Sequence, residues 1–500
     1  MDAVIPHRIK APGKSRCGNP LATATRVSGT FIQMRYKTSR GALALSLFLV
    51  SITLYLSLTL ASDPLGGGMS VLKQDGVWRS RGYGWVLSIK NKSLTLYHAS
   101  KKFCIKDTNP EFSRGDIEAK VVDGSNGRVL RVTIDDPSYF YIFDRIEQLP
   151  DTCRGNPDKG VVATFDAVVD IFSTHYPFFE QRRVDWPRLS ARYKREISPK
   201  TSEKQLFKVI SRMLLEIGDG HVSLRAKSLG RKFASSSKRP PSTDIVGFLS
   251  RFTNFAFGDQ FNTTAVNGYW TSGIGAALVG GTKKATANGK IRFGVIDGDI
   301  GYLEIKEMEG MSTQDVEKSM GEVANVFTGL SAVIVDVSRN PGGLDTIGTQ
   351  LASRFAGKET LAYYKFAGDG DTSQKQPIYI RPSGPSLDTD TPVYVITSHR
   401  TASAAEIFVI SMRALPNVTH VGQRTEGILS DELLKPLPNG WRLSLSNEIY
   451  LDSEKESWEA VGIPPEIKFQ VRAKKSYSNK DIAAAREIIQ FLRTSAKSEP

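Results

Sequence analysis

The chain has 500 residues, 40% hydrophobic and 24% charged, which excludes a wholly disordered protein and predicts two to four domains. The net charge of +14 is uneven, because residues 1–61 carry +7 and the much longer remainder carries the other +7. No lysine and arginine stripe is interleaved with aromatic residues, so we expect no nucleic-acid partner.

Residues 41–61 form a long apolar run without charge, and three basic residues lie just before it, between positions 35 and 40. A basic stretch, an apolar run and a small final residue, here Ala61, are typical of a secretory signal. The run is also long enough to span a bilayer as an uncleaved anchor. We therefore interpret residues 1–61 as a cytoplasmic lead with a signal peptide or anchor, and expect export to the periplasm or beyond, with membrane contact only through this run. A normal signal would begin near Met34, which leaves open whether residues 1–33 are translated.

Residues 62–158 predict a small all-β domain, because short alternating runs are separated by Asn-Gly, Asp-Gly and Asp-Pro turn signals. Of the three cysteines, Cys17 precedes the apolar run. Cys104 and Cys153 therefore remain as a pair in the exported part. A pair in an exported protein indicates a possible disulfide, with two free thiols as the alternative.

Residues 159–235 have apolar side chains at helical spacing and predict a helical domain. Asp185 and Ser202 are expected to begin helices. The last helix leads into Gly-Asp-Gly-His at 218–221, a sharp turn that carries a histidine. The basic, Ser- and Pro-rich residues 225–243 predict a linker or mobile loop.

Residues 236–500 predict an α/β core. A hairpin is expected within 290–305, and almost wholly apolar strands then alternate with loops and amphipathic helices up to a closing helix within 481–494. Continuous apolar strands are typical of buried parallel sheets, and the repeated strand, loop and helix imply a layered core. The fold class is therefore α/β, in a multidomain α+β chain.

A strand ending near Val337 runs into Asn-Pro-Gly-Gly and then a helix. Consecutive glycines here, Gly342 and Gly343, allow unusual backbone angles and close approach of a ligand, and their amides can form an anion-binding nest. The segment predicts either an oxyanion hole or an ordinary tight turn.

Ser403 lies at a second junction between an apolar strand and a helix. Free amides and the helix dipole there favour developing negative charge, as a nucleophile requires. The same position suits a helix cap, with Glu406 as its capping-box partner. Taken alone, the residues leave both interpretations open.

A serine nucleophile needs a base whose pKa is near neutral, and histidine is the usual one. Five histidines follow residue 61. Three of them fall in strand or aromatic helical patterns and are expected to be structural: His98, His175 and His420. The remaining candidates are His221, in the turn at 218–221, and His399, four residues before Ser403.

In this order, DVSRNPGG, TASAAEIF, VGQRTEG at 421–427 and WEAVGIPPEI at 458–467 resemble the C-terminal processing (tail-specific) protease family. The resemblance covers roughly residues 160–490 and implies a crotonase/ClpP-like layered core. It also implies that Ser403 is the nucleophile of a serine peptidase.

One branch of this family uses a lysine base at the position occupied here by Ile428. The chain instead resembles the branch of the tricorn core protease, which uses Ser, His and Glu. That resemblance assigns His221 as the base and Glu459 as the third member. Tricorn has a serine directly before its histidine, where this chain has Gly220.

The mechanism implied is that His221 accepts the proton of Ser403, whose oxygen attacks a peptide carbonyl. The resulting oxyanion would be bound by the Gly342 or Gly343 amide and by the Ala404 amide. Glu459 would orient the imidazole or stabilise its charged form.

No cofactor or metal is expected, and the partner implied is a peptide or unfolded protein substrate. Two alternatives use the same fold, a non-catalytic protein that binds apolar ligands and an esterase or other acyl hydrolase. The sequence predicts neither the cleavage specificity nor the oligomeric state.

Overall fold

The computed structural model describes residues 75–468, with gaps at 92, 109–116, 123–124, 135, 156, 237–283, 297 and 369–374. All described residues lie in one compact unit, Leu65–Pro500. The apolar run at 41–61, Cys17 and the closing helix expected within 481–494 lie outside the described residues. None of the described helices is long and apolar enough to cross a membrane.

A seven-stranded antiparallel sheet, the N-terminal sheet, forms the first part, in the order β4-β3-β2-β1-β7-β6-β5. Aromatic side chains, including Trp85 and Phe143, pack on its inner face. Cys104 and Cys153 form a disulfide that ties β4 to the short helix Asp151–Cys153. The strands are β1 (Gly76–Ser80), β2 (Trp85–Lys90), β3 (Ser93–Ala99), β4 (Cys104–Lys106), β5 (Ile117–Val121), β6 (Val129–Ile134) and β7 (Asp136–Ile146).

Three helices follow, and the two starts expected from the sequence are confirmed. Asp185 accepts the Arg188 amide at one helix start, and Ser202 forms a capping box with Gln205 at the next. Their apolar faces share one hydrophobic core with the N-terminal sheet, in which Trp78, Phe165 and Phe207 are buried. The helices are α1 (Val161–His175), α2 (Trp186–Lys194) and α3 (Glu203–Leu215).

The prediction of a linker from residue 225 was wrong for its described part. Residues 223–234 form β8 (Ser223–Ala226) and β9 (Arg231–Ala234), joined by a short 3₁₀ turn with a left-handed Gly230. They form a four-stranded antiparallel sheet with two later strands, Glu432–Pro436 and Arg442–Ser446, the second of which pairs with β8. The basic side chains lie on an exposed edge, where charge is tolerated without loss of the strand.

The core sheet has seven strands in the order β10-β11-β12-β13-β16-β17-β21. The expected hairpin is β11 and β12, and the strands from β12 to β21 run parallel. A three-stranded sheet, β15-β14-β20, packs in the same core. The strands are β10 (Lys284–Thr286), β11 (Ile291–Ile296), β12 (Ile300–Ile305), β13 (Ala332–Asp336), β14 (Thr360–Ala367), β15 (Gln376–Ile380), β16 (Val393–Thr397), β17 (Val418–Gly422), β18 (Glu432–Pro436), β19 (Arg442–Ser446), β20 (Glu448–Asp452) and β21 (Ile467–Lys468).

Helices α4 (Thr313–Phe327), α5 (Asp345–Ser353) and α6 (Ala404–Arg413) pack against this sheet. Strand β13 is almost wholly buried, which explains its continuous apolar sequence. The layered α/β core and the additional β sheet that the sequence predicts are therefore both present.

Candidate active site

The site lies where two neighbouring parallel strands of the core sheet end. Strands β13 and β16 are paired, with Val333 opposite Val393. The loop after β13 contains Gly342 and Gly343, and the loop after β16 leads to Ser403 at the start of α6. Because the carboxyl ends of parallel strands meet at one edge of a sheet, the two loops lie together.

The backbone of Ser403 differs from that of an ordinary helix cap. Ser202 and Ser312 cap their helices with φ values of −74° and −100° and accept the amide three residues on. Ser403 has φ 55° and ψ −132°, a backbone conformation that residues other than glycine rarely adopt. Such strain is found preferentially at functional sites.

The side chain of Glu406 stabilises this backbone conformation through hydrogen bonds. Its fully buried carboxylate accepts the Ser403 amide at 3.3 Å and the Thr425 hydroxyl at 2.5 Å. It also accepts the amides of Gly427 and Ile428, at 2.8 and 2.9 Å. Burial raises the pKa of Glu406 to about 7, although these donors oppose the shift. The residue that sequence reasoning placed in a capping box thus ties Ser403 to the loop at 425–428.

The turn at 218–221 brings His221 to Ser403. Gly218 has φ 71°, and Asp219 Oδ1 accepts the His221 amide at 2.9 Å. The Ser444 hydroxyl donates to the His221 carbonyl at 2.7 Å, which fixes the turn against β19. His221 Nε2 lies 3.1 Å from Ser403 Oγ, although the two residues are 182 positions apart. His399, the other candidate base, lies in the loop between β16 and α6.

The environment of the imidazole is acidic. Burial of His221 lowers its pKa, but the charges of Glu432, Asp219 and Glu459, in that order, act in the opposite direction and prevail. The net result is a pKa raised above the ordinary histidine value. The surrounding carboxylates therefore favour the protonated imidazole that forms when a serine gives up its proton.

The glycine loop packs directly under Ser403. A Cβ atom on Gly342 would lie 2.7 Å from Ser403 Cβ, and one on Gly343 would overlap the backbone of Met308 and Glu309. Both glycines have positive φ, 106° and 139°. These two positions therefore require glycine for conformation and for space.

The two glycine amides have different roles. The Gly342 amide donates to Asn340 Oδ1 at 2.8 Å and is thereby occupied. In the part of the chain that the structure describes, the amides of Gly343 and Ala404 donate to no protein acceptor. Of the expected oxyanion donors, Gly343 and Ala404 are therefore the two whose amides have no acceptor among the described residues.

Glu459 is buried but does not hydrogen-bond to His221. Its Oε2 accepts the amides of Leu429 and Ser430 at 2.8 and 3.0 Å, and its Oε1 pairs with Arg182. Among the described residues, His221 Nδ1 has no hydrogen-bond partner. The charge of Glu459 nevertheless raises the pKa of His221.

Two residues at the site were missed from the sequence. Asn340 is fully buried; its side chain donates to the Ile305 carbonyl at 3.0 Å and accepts the Gly342 amide. Its place in Asn-Pro-Gly-Gly was a signal, since asparagine commonly bonds to the backbone two residues on. Arg182, which joins Glu459 to the turn at 218–221, has no local sequence signal. No group of three or more His, Cys, Asp or Glu side chains in the described ranges could hold a metal ion.

Part of the chain is similar in sequence to known proteins. Residues 299–469 match the model of peptidase family S41. A carboxyl-terminal-processing protease of Picosynechococcus is 26% identical over 169 residues, which are 33% of this chain and 38% of that protein. The chloroplastic carboxyl-terminal-processing peptidase 3 of Arabidopsis thaliana is 28% identical over 168 residues, 33% of this chain and 31% of its own length. The chain therefore matches well under half the length of these relatives.

A solved structure extends the similarity beyond this segment. The crystal structure of a candidate peptidase from Parabacteroides merdae is similar with a TM-score of 0.51 and 25% sequence identity. The match covers 66% of this chain and 97% of that protein. The similarity therefore includes more of the fold than the segment that the family model matches.

Proposed function

We propose that this chain, whose residues 299–469 match the model of peptidase family S41, is an exported serine endopeptidase with Ser403 as the nucleophile and His221 as the base. One observation carries the proposal, the 3.1 Å between His221 Nε2 and Ser403 Oγ. This distance permits direct proton transfer between a base and a nucleophile. The strained backbone of Ser403 supports the same assignment.

In the proposed reaction, Ser403 Oγ attacks a peptide carbonyl carbon as His221 Nε2 takes its proton. The carbonyl oxygen becomes negative and accepts hydrogen bonds from the Gly343 and Ala404 amides. His221 then gives the proton to the departing amine, and the carbon–nitrogen bond breaks to leave an ester on Ser403. Water, deprotonated by His221, hydrolyses that ester and restores the serine.

The charged imidazole between these steps is stabilised at a distance. Glu432, Asp219 and Glu459 all raise the proton affinity of His221. We assign Glu459 to this role of the third triad member, exerted through its charge, because its two oxygens are engaged by Arg182 and by backbone amides. The sequence suggested two roles for Glu459, namely to orient the imidazole or to stabilise its charged form. This assignment is the second.

The proposed substrate is a peptide or an unfolded protein. Two of the relatives are named carboxyl-terminal-processing enzymes, which supports a polypeptide substrate for this chain as well. Export is proposed from the basic stretch and apolar run at 35–61. A disulfide between Cys104 and Cys153 agrees with an oxidising compartment.

The test compares Ser403→Ala with Ser312→Ala, which removes a serine that caps another helix with ordinary backbone angles. Hydrolysis of casein and labelling by a fluorophosphonate are measured for both. We expect Ser403→Ala to lose at least about 10³-fold in rate and all labelling, while Ser312→Ala keeps both. Full hydrolysis by folded Ser403→Ala protein would refute the proposal. Labelling with turnover of esters but not of peptides would indicate the acyl hydrolase instead.

A further inference from the structure

The guanidinium of Arg182 lies between three segments that are distant in the sequence. It belongs to the loop between α1 and α2, and its side chain is 5% exposed. It donates to the Gly218 carbonyl at 2.6 Å and pairs with Glu459. Its Nε lies 3.4 Å from Asp219 Oδ2, and a second nitrogen reaches the Gly427 carbonyl at 3.4 Å.

Two of these segments are linked by hydrogen bonds to the support of a reacting residue. The turn at 218–221 carries His221, whose amide bonds to Asp219. The loop at 427–430 donates two amides to Glu406, which accepts the Ser403 amide. The same loop donates two further amides to Glu459. One side chain therefore connects the support of the base with the support of the nucleophile.

We propose that Arg182 is a positioning residue of this active site, which holds the turn of His221 and the loop bonded to Glu406 at the separation that proton transfer requires. The proposal rests on the proposed function. Arg182 hydrogen-bonds to neither Ser403 nor His221, so it acts through Gly218, Asp219 and Gly427. Arginine suits the position because its planar fork can satisfy several acceptors at once, which a lysine ammonium cannot do in the same geometry.

The positive charge of Arg182 matters as well as its shape, because it balances the buried carboxylates near His221. Asp219 and Glu459 are two buried carboxylates, and Tyr176 donates its hydroxyl to Asp219 at 2.8 Å. Burial and the charge of Asp219 raise the pKa of Glu459, and Arg182 opposes that rise. The groups that act on the charge of His221 are Glu432, Asp219, Glu459 and Asp431. Without the guanidinium, the charge balance around the base changes.

The experiment compares full-length Arg182→Gln and Arg182→Lys with Arg183→Gln, a substitution of the adjacent exposed arginine. Folding is checked by circular dichroism and thermal unfolding, and active enzyme is counted by end-point fluorophosphonate labelling. We then measure kcat, KM and the acid limb of the pH profile of kcat/KM on a peptide. A small misplacement of a catalytic group can cost about 10²-fold in rate.

We expect Arg182→Gln to lower kcat by about 10²-fold per labelled enzyme, with a smaller change in KM and a displaced acid limb. Arg182→Lys should recover less than a tenth of the wild-type kcat, and Arg183→Gln should match the wild type. If Arg182→Gln does not fold, Arg182→Lys decides the question. A folded variant at position 182 with lower thermal stability but wild-type kcat and an unchanged acid limb would overturn the proposal. Failure of the proposed function has a separate sign, namely hydrolysis that survives in Ser403→Ala.

Discussion

The side chain of Ile428 packs against Gly220, the residue directly before His221. A Cβ atom added to Gly220 would lie 3.0 Å from Ile428 Cδ1 and 3.5 Å from its Cγ2. These are the two positions that stood out in the sequence when it was compared with the two branches of the resembled family. The Ile428 side chain therefore occupies the space next to Gly220, and a larger residue at either position would crowd the other.

Gly220→Ala should lower kcat about tenfold, because the added methyl group meets Ile428 and displaces the turn of His221. Ile428→Val removes the Cδ1 atom in the way. We expect the double variant Gly220→Ala with Ile428→Val to recover most of the activity, and Ile428→Val alone to cost little. Purely additive losses in this double-mutant cycle, measured by peptide hydrolysis, would contradict the contact as the cause.

Gly342→Ala should lower kcat by about 10²–10³-fold. The new methyl group would lie 2.7 Å from Ser403 Cβ and 2.8 Å from the Ala402 carbonyl oxygen, at a φ of 106°. Either Ser403 moves or the loop with the Gly343 amide moves, and the oxyanion loses a donor. Gly440→Ala is the control, because Gly440 also has a positive φ, 84°, but open space around its Cβ position. Equal losses of activity in both folded variants would refute this explanation.

The acid limb of kcat/KM should lie above pH 6.5. The base must be neutral to accept a proton, and the surrounding carboxylates raise the pKa of His221 above its ordinary value. Glu432→Gln removes the carboxylate whose charge has the largest effect on the pKa of His221. That pKa should therefore fall, and the acid limb should move to lower pH. Glu454→Gln, a change at an exposed residue outside that group, should leave the limb in place. A limb that moves to higher pH in Glu432→Gln would contradict the electrostatic account.

Replacing both Cys104 and Cys153 by serine should lower the free energy of unfolding by about 4 kcal/mol, the chain-entropy value for a closed loop of this length. The two residues are 49 positions apart. Denaturant unfolding of the wild-type and doubly substituted proteins measures the difference. Because the bond joins β4 to the short helix Asp151–Cys153, neither of which carries a residue of the candidate site, activity per folded molecule should be unchanged. An unaltered unfolding midpoint would show that the bond does not form in the isolated protein.

Much of the catalytic core could be predicted because buried parallel strands have continuous apolar sequences. The loops after β13 and β16 could then be located, with Gly342, Gly343 and Ser403 in them. The function of Ser403 could not be separated from capping by its neighbours alone. Ser202, Ser312 and Ser403 all have a polar or acidic residue three positions on, and only the backbone angles distinguish them.

The residues that support the site were harder to predict. Arg182 is one of many basic residues, and its partners Gly218, Gly427 and Glu459 come together only in the folded chain. Strands β8 and β9 were mistaken for a linker because their exposed edge position tolerates basic residues. In both cases the tertiary partners, and not the local sequence, determine the structure.

The unusual backbone of Ser403 has a consequence for how the protein could change. Its angles, φ 55° and ψ −132°, are those of the first central residue of a type II′ turn, a position that glycine occupies readily. A serine held there costs of order 1–3 kcal/mol. A descendant that no longer needed hydrolysis would therefore become more stable by replacing this residue with glycine. Conservation of serine at this position among close homologues would indicate selection for activity, maintained against a preference of the fold itself.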